Sequence, residues 1–193
     1  MSGKTATRDR ILTVAPELLR RFTLSKFSME DVARGAGIAR QTIYKHFSSR
    51  DDLLITMFVN EMLDNHAPKM AEVVGRPPSA ENLLDIFMTE LALARGYPLF
   101  DEVLDPGVAP KMAELVFHSE RVIAAREQIW IPILERYREH GVLRSGLDFA
   151  ATVRWITYQE YWLLTHPTVL CDDDQALCAF VRDFVITALV VPA

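Results

Sequence analysis

Apolar positions recur at helical spacing from the start of the chain to its end. Ile11, Ala15, Leu18, Leu19 and Phe22 predict a first helix over 4–22. Pro16 lies inside it and removes a backbone hydrogen bond, so a kink near 12–15 is expected. Ser28 and Asp31 are spaced to cap each other's backbone donors at the head of a short helix whose apolar face is Val32, Ala33 and Ala36. Gly37 follows, where a tight turn needs a residue that tolerates positive φ. Ile38 plugs the turn. Residues 40–46 then have helical length, with Ile43 and Phe47 facing inward. Ser49 opens the next helix, and Asp51 and Asp52 suit its N-terminus.

From Arg50 a longer helix is expected to about His66, resuming past Pro68 towards Val74. Gly75-Arg76-Pro77-Pro78-Ser79 is the clearest linker. Ser79 caps a helix through about Ala94, with Leu83, Leu84, Phe87, Met88 and Leu91 on its buried side. Residues 96–110 are broken by prolines and read as loop with at most one short helix. Helices are expected over 111–118 and 120–140, the second ended by Gly141 and holding Trp130 and Pro132. Asp148 caps a helix over 149–165, and Asp172–Asp174 open a last one ending near Val191. That acid triplet reads as a cap matched to the helix dipole; a hard-cation site needs more oxygen ligands at loop spacings. The expected fold is all-α with about nine helices: a three-helix head over 1–50 and a helical bundle over 51–193.

A short helix, a glycine turn and a second short helix make a helix-turn-helix. The second helix exposes donors: Arg40, Gln41, Thr42, Tyr44, Lys45 and His46 can all reach phosphates or base edges. Such a hairpin can also be a solvated piece of an ordinary bundle, and charge helps to separate the two. Residues 1–50 hold ten Lys/Arg against four Asp/Glu, a surplus of six, so in a chain of net charge −5 the remainder carries −11. A basic head on an acidic body is the asymmetry of a protein that meets nucleic acid at one end.

Residues 28–53 resemble the DNA-binding domain of TetR-family transcriptional regulators. The matching elements are Ser28-x-x-Asp31-Val32-Ala33, Ala36-Gly37-Ile38, Thr42-Ile43-Tyr44-x-x-Phe47 and Ser49-Arg50-x-x-Leu53. They cover roughly a quarter of the chain. Where the family's first helix usually ends at a Gly-aromatic pair, this chain has Thr23-Leu24. The resemblance implies phosphate contacts from Thr42, Tyr44 and Arg50, with Ser28 at the same surface. Base edges fall to Arg40, Gln41, Lys45 and His46. It also implies that the helix from Arg50 connects head to body, that the last two helices dimerise, and that the body holds a small molecule.

The residues add detail to those implications. Leu177, Val181, Phe184, Ala188 and Val191 recur at spacings of four and three, a coiled-coil-like seam suited to a dimer interface. The helix before it is apolar nearly all round, so one side can face its own subunit and the other a partner. A homodimer presents two reading helices about one DNA turn apart, matching a palindromic operator. Phe87, Met88, Phe100, Met112, Phe117, Trp130, Trp155, Tyr158 and Trp162 are candidates to line an apolar cavity, with His66, His118, Arg121 and Gln159 as polar anchors; for each, plain core packing is the competing reading. The effector would then be aromatic or otherwise lipophilic, and its binding would shift the connector and release a repressor from DNA.

Other chemistry finds little support. Gly35-Ala36-Gly37 lacks a third glycine and a preceding strand, and neither HExxH nor G-x-S-x-G occurs. Cys171 and Cys178 are seven apart, unlike a redox pair or zinc knuckle. No cofactor or metal is expected. No apolar run reaches the eighteen or so residues of a membrane span, and the N-terminus is polar, which leads to the expectation of a cytoplasmic protein. The rival reading is a dimeric helical interaction protein that has lost DNA binding.

Overall fold

A computed structural model describes residues 3–97, 107, 109–166 and 173–192. Among them the chain forms nine helical rods, and its one strand-like pairing is an isolated bridge between Leu143 and Val190. Helix α1 spans Gly3–Arg21, α2 Met29–Gly35 and α3 Arg40–Ile43. Helix α4 starts as Arg50–Asn60, widens into a π turn over Glu61–His66 and finishes as Ala67–Gly75. Then come α5 (Ala80–Arg95), α6 (Ala109–His118), α7 (Glu120–Glu139) and α8 (Phe149–Thr165). Helix α9 starts as Asp174–Phe180 and ends in a second π turn over Val181–Ile186. No helix among the described residues is long and apolar enough to cross a membrane.

Local chemistry sets most of these boundaries. Ser28, Ser49, Ser79, Ser119, Asp148 and Asp173 each accept a hydrogen bond from the backbone N–H three residues on. A cap of this kind contributes about 1 kcal/mol. Helices α2 and α7 end alike: Gly37 and Gly141 take φ of 62° and 69°, and the next residue's N–H returns to the carbonyl five back. The pairs are Ile38 to Ala33 and Val142 to Tyr137, each at 3.0 Å.

Four boundaries differ from expectation. Helix α1 runs through Pro16 as one helix, held by the buried spine of Ile11, Ala15 and Leu19. Helix α3 is a single turn, prolonged by tight turns until the Phe47 N–H meets the Ile43 carbonyl at 2.9 Å. The rod α4 does not stop at His66. Pro68 cannot donate to the carbonyl four residues back, and the π turn just before it, where the Ala67 N–H reaches the Met62 carbonyl, absorbs the misfit. Helix α9 ends well before Val191. The chain straightens there, and the Val191 N–H meets the Val142 carbonyl at 2.9 Å while the Arg144 N–H meets that of Leu189 at 3.0 Å. Asp172 and Phe100 lie outside the described residues.

Two large cores result. The first joins α1–α3 and the start of α4 (Leu53, Leu54, Met57), and α6 inserts Met112 and Leu115 into it. The second fills the body around Trp130 and Tyr137, both fully buried. Head and body therefore share α4 and meet at α6. At Gly37 a Cβ would meet nothing within 4 Å, so only its left-handed backbone resists substitution. Gly37→Ala is expected to cost about 1–2 kcal/mol, measured by urea unfolding; an unchanged midpoint would mean the turn relaxes without that strain.

Candidate nucleic-acid interface and body cavity

The sequence of α3 sorts its side chains cleanly. Ile43 and Phe47 are buried in the head's core, and Arg8 sits over the Phe47 ring at 5.2 Å. On the other side Arg40, Gln41, Tyr44 and Lys45 are exposed, with Thr42 and His46 half-buried beside them. Arg40 approaches Glu30 at 3.9 Å, but both side chains are 68 % exposed, so the pair holds it weakly. A row of donors with no apolar side chain but a tyrosine is what a helix facing phosphates and base edges needs.

Two further candidates are already engaged within the protein. The Ser28 hydroxyl accepts from the Asp31 N–H at 3.1 Å and donates to the Asp31 carboxylate, as a cap does. The Arg50 guanidinium donates to the Leu24 carbonyl, tying the start of α4 to the loop after α1, while its buried Nε has no partner. Leu24, standing in place of an aromatic residue, is itself buried.

The start of α4 is also gripped from the body. Asp52 accepts from the Ser48 N–H at 2.9 Å, and Arg121 of α7 donates to its other oxygen at 2.7 Å and to the Thr56 hydroxyl at 2.6 Å. Burial works against the Asp52 charge, but the hydrogen bonds from Ser48 and Arg121 outweigh it and hold the carboxyl below its usual range. Lys111 of α6 reaches Asp51 at 2.9 Å. The N-terminus of the connector thus has a basic clamp on its body side.

One turn further along, α4 lines a cavity of about 100 Å³. Phe58, Met62 and His66 form its α4 wall, Glu90, Leu91 and Ala94 its α5 wall, and Met112 comes from α6. Val122 and Arg126 of α7 and Thr157, Glu160, Tyr161 and Leu164 of α8 close it. Its walls are mostly apolar, yet they enclose a charged cluster. Arg126, 6 % exposed, donates through Nη1 to Glu90, through Nη2 to Glu160 and through Nε to the Thr157 hydroxyl at 3.1 Å. The Trp130 indole N–H completes Glu90 at 2.7 Å. The second oxygen of Glu160, Oε1, is buried and has no hydrogen-bond partner.

Two carboxyl groups face one guanidinium, so the cluster balances when one of the two holds a proton. Burial, foremost, and the neighbouring Glu90 push the Glu160 carboxyl well above its usual range, against the pull of Arg126. Burial would lower the basicity of Arg126, but Glu160 and Glu90 raise it beyond the ordinary arginine value. Burial lowers the His66 pKa below its ordinary value, against the attraction of Glu61 3.6 Å away.

Comparison with known proteins agrees with this architecture. Residues 11–57 match the family profile described as "Bacterial regulatory proteins, tetR family". The chain belongs to the TetR family of transcriptional regulators. It is 33 % identical over 152 residues to the HTH-type transcriptional regulator EthR of Mycobacterium tuberculosis, covering 78 % of this chain and 66 % of EthR. It is 28 % identical over 189 residues to an uncharacterized HTH-type transcriptional regulator of the same species, covering 96 % and 86 %. Among solved structures the fold matches the R. erythropolis transcriptional repressor QsdR with a TM-score of 0.67 at 16 % identity, covering 98 % of each chain. These relatives are transcriptional regulators, not enzymes, and this TetR-family chain is a DNA-binding helix-turn-helix regulator.

Within this regulator the candidates for an effector site scatter. Of them, His66 and Met112 line the cavity. Phe87 is core, Met88 packs against the core, and Trp130 lies behind the cavity with its N–H spent on Glu90. Phe117 and Tyr158 stack at 4.1 Å beside a separate hollow of about 80 Å³. His118 is exposed, and Arg121 is the clamp on α4 rather than an anchor in the cavity. Trp155, Gln159 and Trp162 are half-buried and do not line it. Helix α8 turns Thr157, Glu160 and Leu164 towards the cavity instead.

The seam on α9 divides as well. Leu177 and Val181 belong to the chain's own core, whereas Phe184 and Val191 are 66 % and 49 % exposed and Ala188 is half-buried. A π turn fits one extra residue into the helix, so a strict four-three spacing no longer stays on one face. Sequence reasoning missed Glu90, Arg126 and Glu160 altogether. The signal was present: each is a charge placed in register with the buried stripe of its helix, as Arg126 is four residues from Val122 and from Trp130.

Above about pH 4.5 the unfolded chain ionises Glu160 while the folded chain keeps the proton. Stability is thus lost as pH rises towards the raised folded-state value. Thermal unfolding of wild type and Glu160→Gln between about pH 5 and about pH 8 is expected to show the variant gaining on wild type as pH rises; parallel curves would mean that Glu160 is ionised in the folded chain.

Proposed function

We propose that this regulator is a repressor that binds a palindromic operator as a homodimer and releases it when a small lipophilic molecule fills the body cavity. The observation that carries the reading is the sharing of α4. One rod gives Leu53, Leu54 and Met57 to the head's core and Phe58, Met62 and His66 to the cavity wall. Met112 touches both, lining the cavity and packing in the head's core. Residues 1–50 act as the reading head and 51–193 as the effector and dimerisation body. A ligand that displaces Met112 and Phe58 moves α4 and with it the head. In a dimer this changes the separation of two α3 helices that rigid DNA requires at one spacing. A coupling of about 1–3 kcal/mol changes affinity several-fold to about a hundredfold.

Arg40, Gln41, Lys45 and His46 are assigned to base edges and Thr42 and Tyr44 to phosphates, with Arg50 positioning α4 and adding charge. The dimer is assigned to α8 and α9. Phe184 stacks on Phe180 at 4.9 Å, Phe180 lies 6.5 Å from Trp162, and Tyr158 is 53 % exposed. Exposed aromatic surface of this kind is typical of protein contacts. QsdR, which shares the fold, is a repressor.

Selection of bound fragments from a random DNA pool at two salt concentrations tests the DNA half of the reading. The expected result is an enriched palindrome whose affinity falls steeply with salt; enrichment of an unpaired half-site alone would overturn the dimer. Gln41→Ala and Lys45→Ala are expected to cost about 1–3 kcal/mol at the base each contacts and to relax preference there. Phe184→Glu is expected to give monomers in analytical ultracentrifugation and to weaken operator binding by about a hundredfold or more, through loss of two-headed attachment.

A further inference from the structure

The polar end of the cavity has a definite chemical demand. All three Arg126 nitrogens are engaged, by Thr157, Glu90 and Glu160, and the Trp130 N–H is spent on Glu90. Both Glu90 oxygens are occupied. One oxygen of the cluster is left over: Oε1 of Glu160, on a residue 94 % buried by its 6 % exposure, lining the cavity and without a partner. A buried unpartnered carboxyl oxygen is costly, and a group that completes it gains correspondingly. With the proton on Glu160, Glu90 and Arg126 balance each other; a base that takes that proton and stays beside it as a cation keeps the cluster neutral, whereas an added anion does not.

We propose that the cavity selects a small apolar molecule carrying a hydrogen-bond donor, best a primary amine, which binds Glu160 Oε1, and that it rejects carboxylates. This rests on the reading of the cavity as the effector site. The amine takes up the Glu160 proton, and the resulting ammonium supplies three N–H donors and balances the carboxylate, while its alkyl tail lies along Met62, Leu91 and Val122. An alcohol supplies a donor without the charge, a ketone only an acceptor. A carboxylate would add a negative charge that the cluster does not balance.

The test compares four probes with one alkyl body (n-hexylamine, 1-hexanol, 2-hexanone and hexanoate) by calorimetry and thermal shift on the full chain. The expected order is amine, alcohol, ketone, hexanoate, with the amine about tenfold to a hundredfold tighter than the ketone, the span of a charge-assisted hydrogen bond. Glu160→Gln, which has no proton to give to an amine and no negative charge to set beside it, is expected to abolish the amine's advantage and leave the alcohol within a few-fold. Ala94→Phe, which fills the cavity without touching the cluster, is expected to weaken all four probes together.

Hexanoate or ketone equal to the amine in wild type would overturn the inference while leaving the cavity as an effector site. An amine advantage that survives Glu160→Gln would overturn the assignment to Oε1. Should Glu160→Gln fail to fold, the wild-type order of head groups decides alone. Failure of every probe to bind would overturn both this inference and the cavity reading, and binding unaffected by Ala94→Phe would place the amine elsewhere.

Discussion

Three ionisable side chains from three helices meet inside an apolar body, and they must satisfy one another there. Arg126 on α7, Glu90 on α5 and Glu160 on α8 have no water to turn to. An unpaired charge in such surroundings costs several kcal/mol, so each helix can pack only in the register that brings its charge to the others. An apolar stripe tolerates sliding, whereas this cluster does not. It aligns α5, α7 and α8, and so determines which of their side chains face the cavity and which face out. Tyr158 and Trp155 point away from the cavity because Glu160 and Thr157 on the same helix must point to Arg126.

The same alignment gives the cavity its connection to the head. Helix α7 presents Arg126 to the cavity and, five residues earlier, Arg121 to Asp52 and Thr56 at the start of α4. Helix α4 returns to the cavity through Phe58, Met62 and His66. Met62 and His66, four residues apart, face inward together from its π turn. Cavity wall, clamp and connector are therefore one mechanical unit. Displacing one part strains the others, because packed interiors yield in steps rather than smoothly.

The head was the most legible part of the chain. Ser28, Gly37 and Ser49 act through backbone groups within a few residues of themselves, so their roles follow from spacing alone. The body was legible as helices but not as a site. Aromatic side chains drew attention because they are large and apolar, yet size and apolarity do not distinguish a cavity wall from core or from an outer face. Phe87, Trp130 and Tyr158 went to three different surroundings. The polar residues of the cavity were visible as charges in core register on α5, α7 and α8. Recognising that they belong together required knowing which helices are neighbours.

The sequence by itself determined what depends on short range: the helices, their caps, the turn at Gly37, the basic head and the donor-rich face of α3. Helical periodicity and capping involve residues a few positions apart, so the chain carries them in plain order. The tertiary structure alone decided what depends on long range. It chose Glu90 and Glu160 as partners of Arg126, turned Arg121 from the cavity to α4, and divided the α9 seam between the chain's own core and its surface. Those outcomes rest on contacts between residues some thirty to seventy positions apart, where local pattern specifies the face of each helix but not the helix that will cover it.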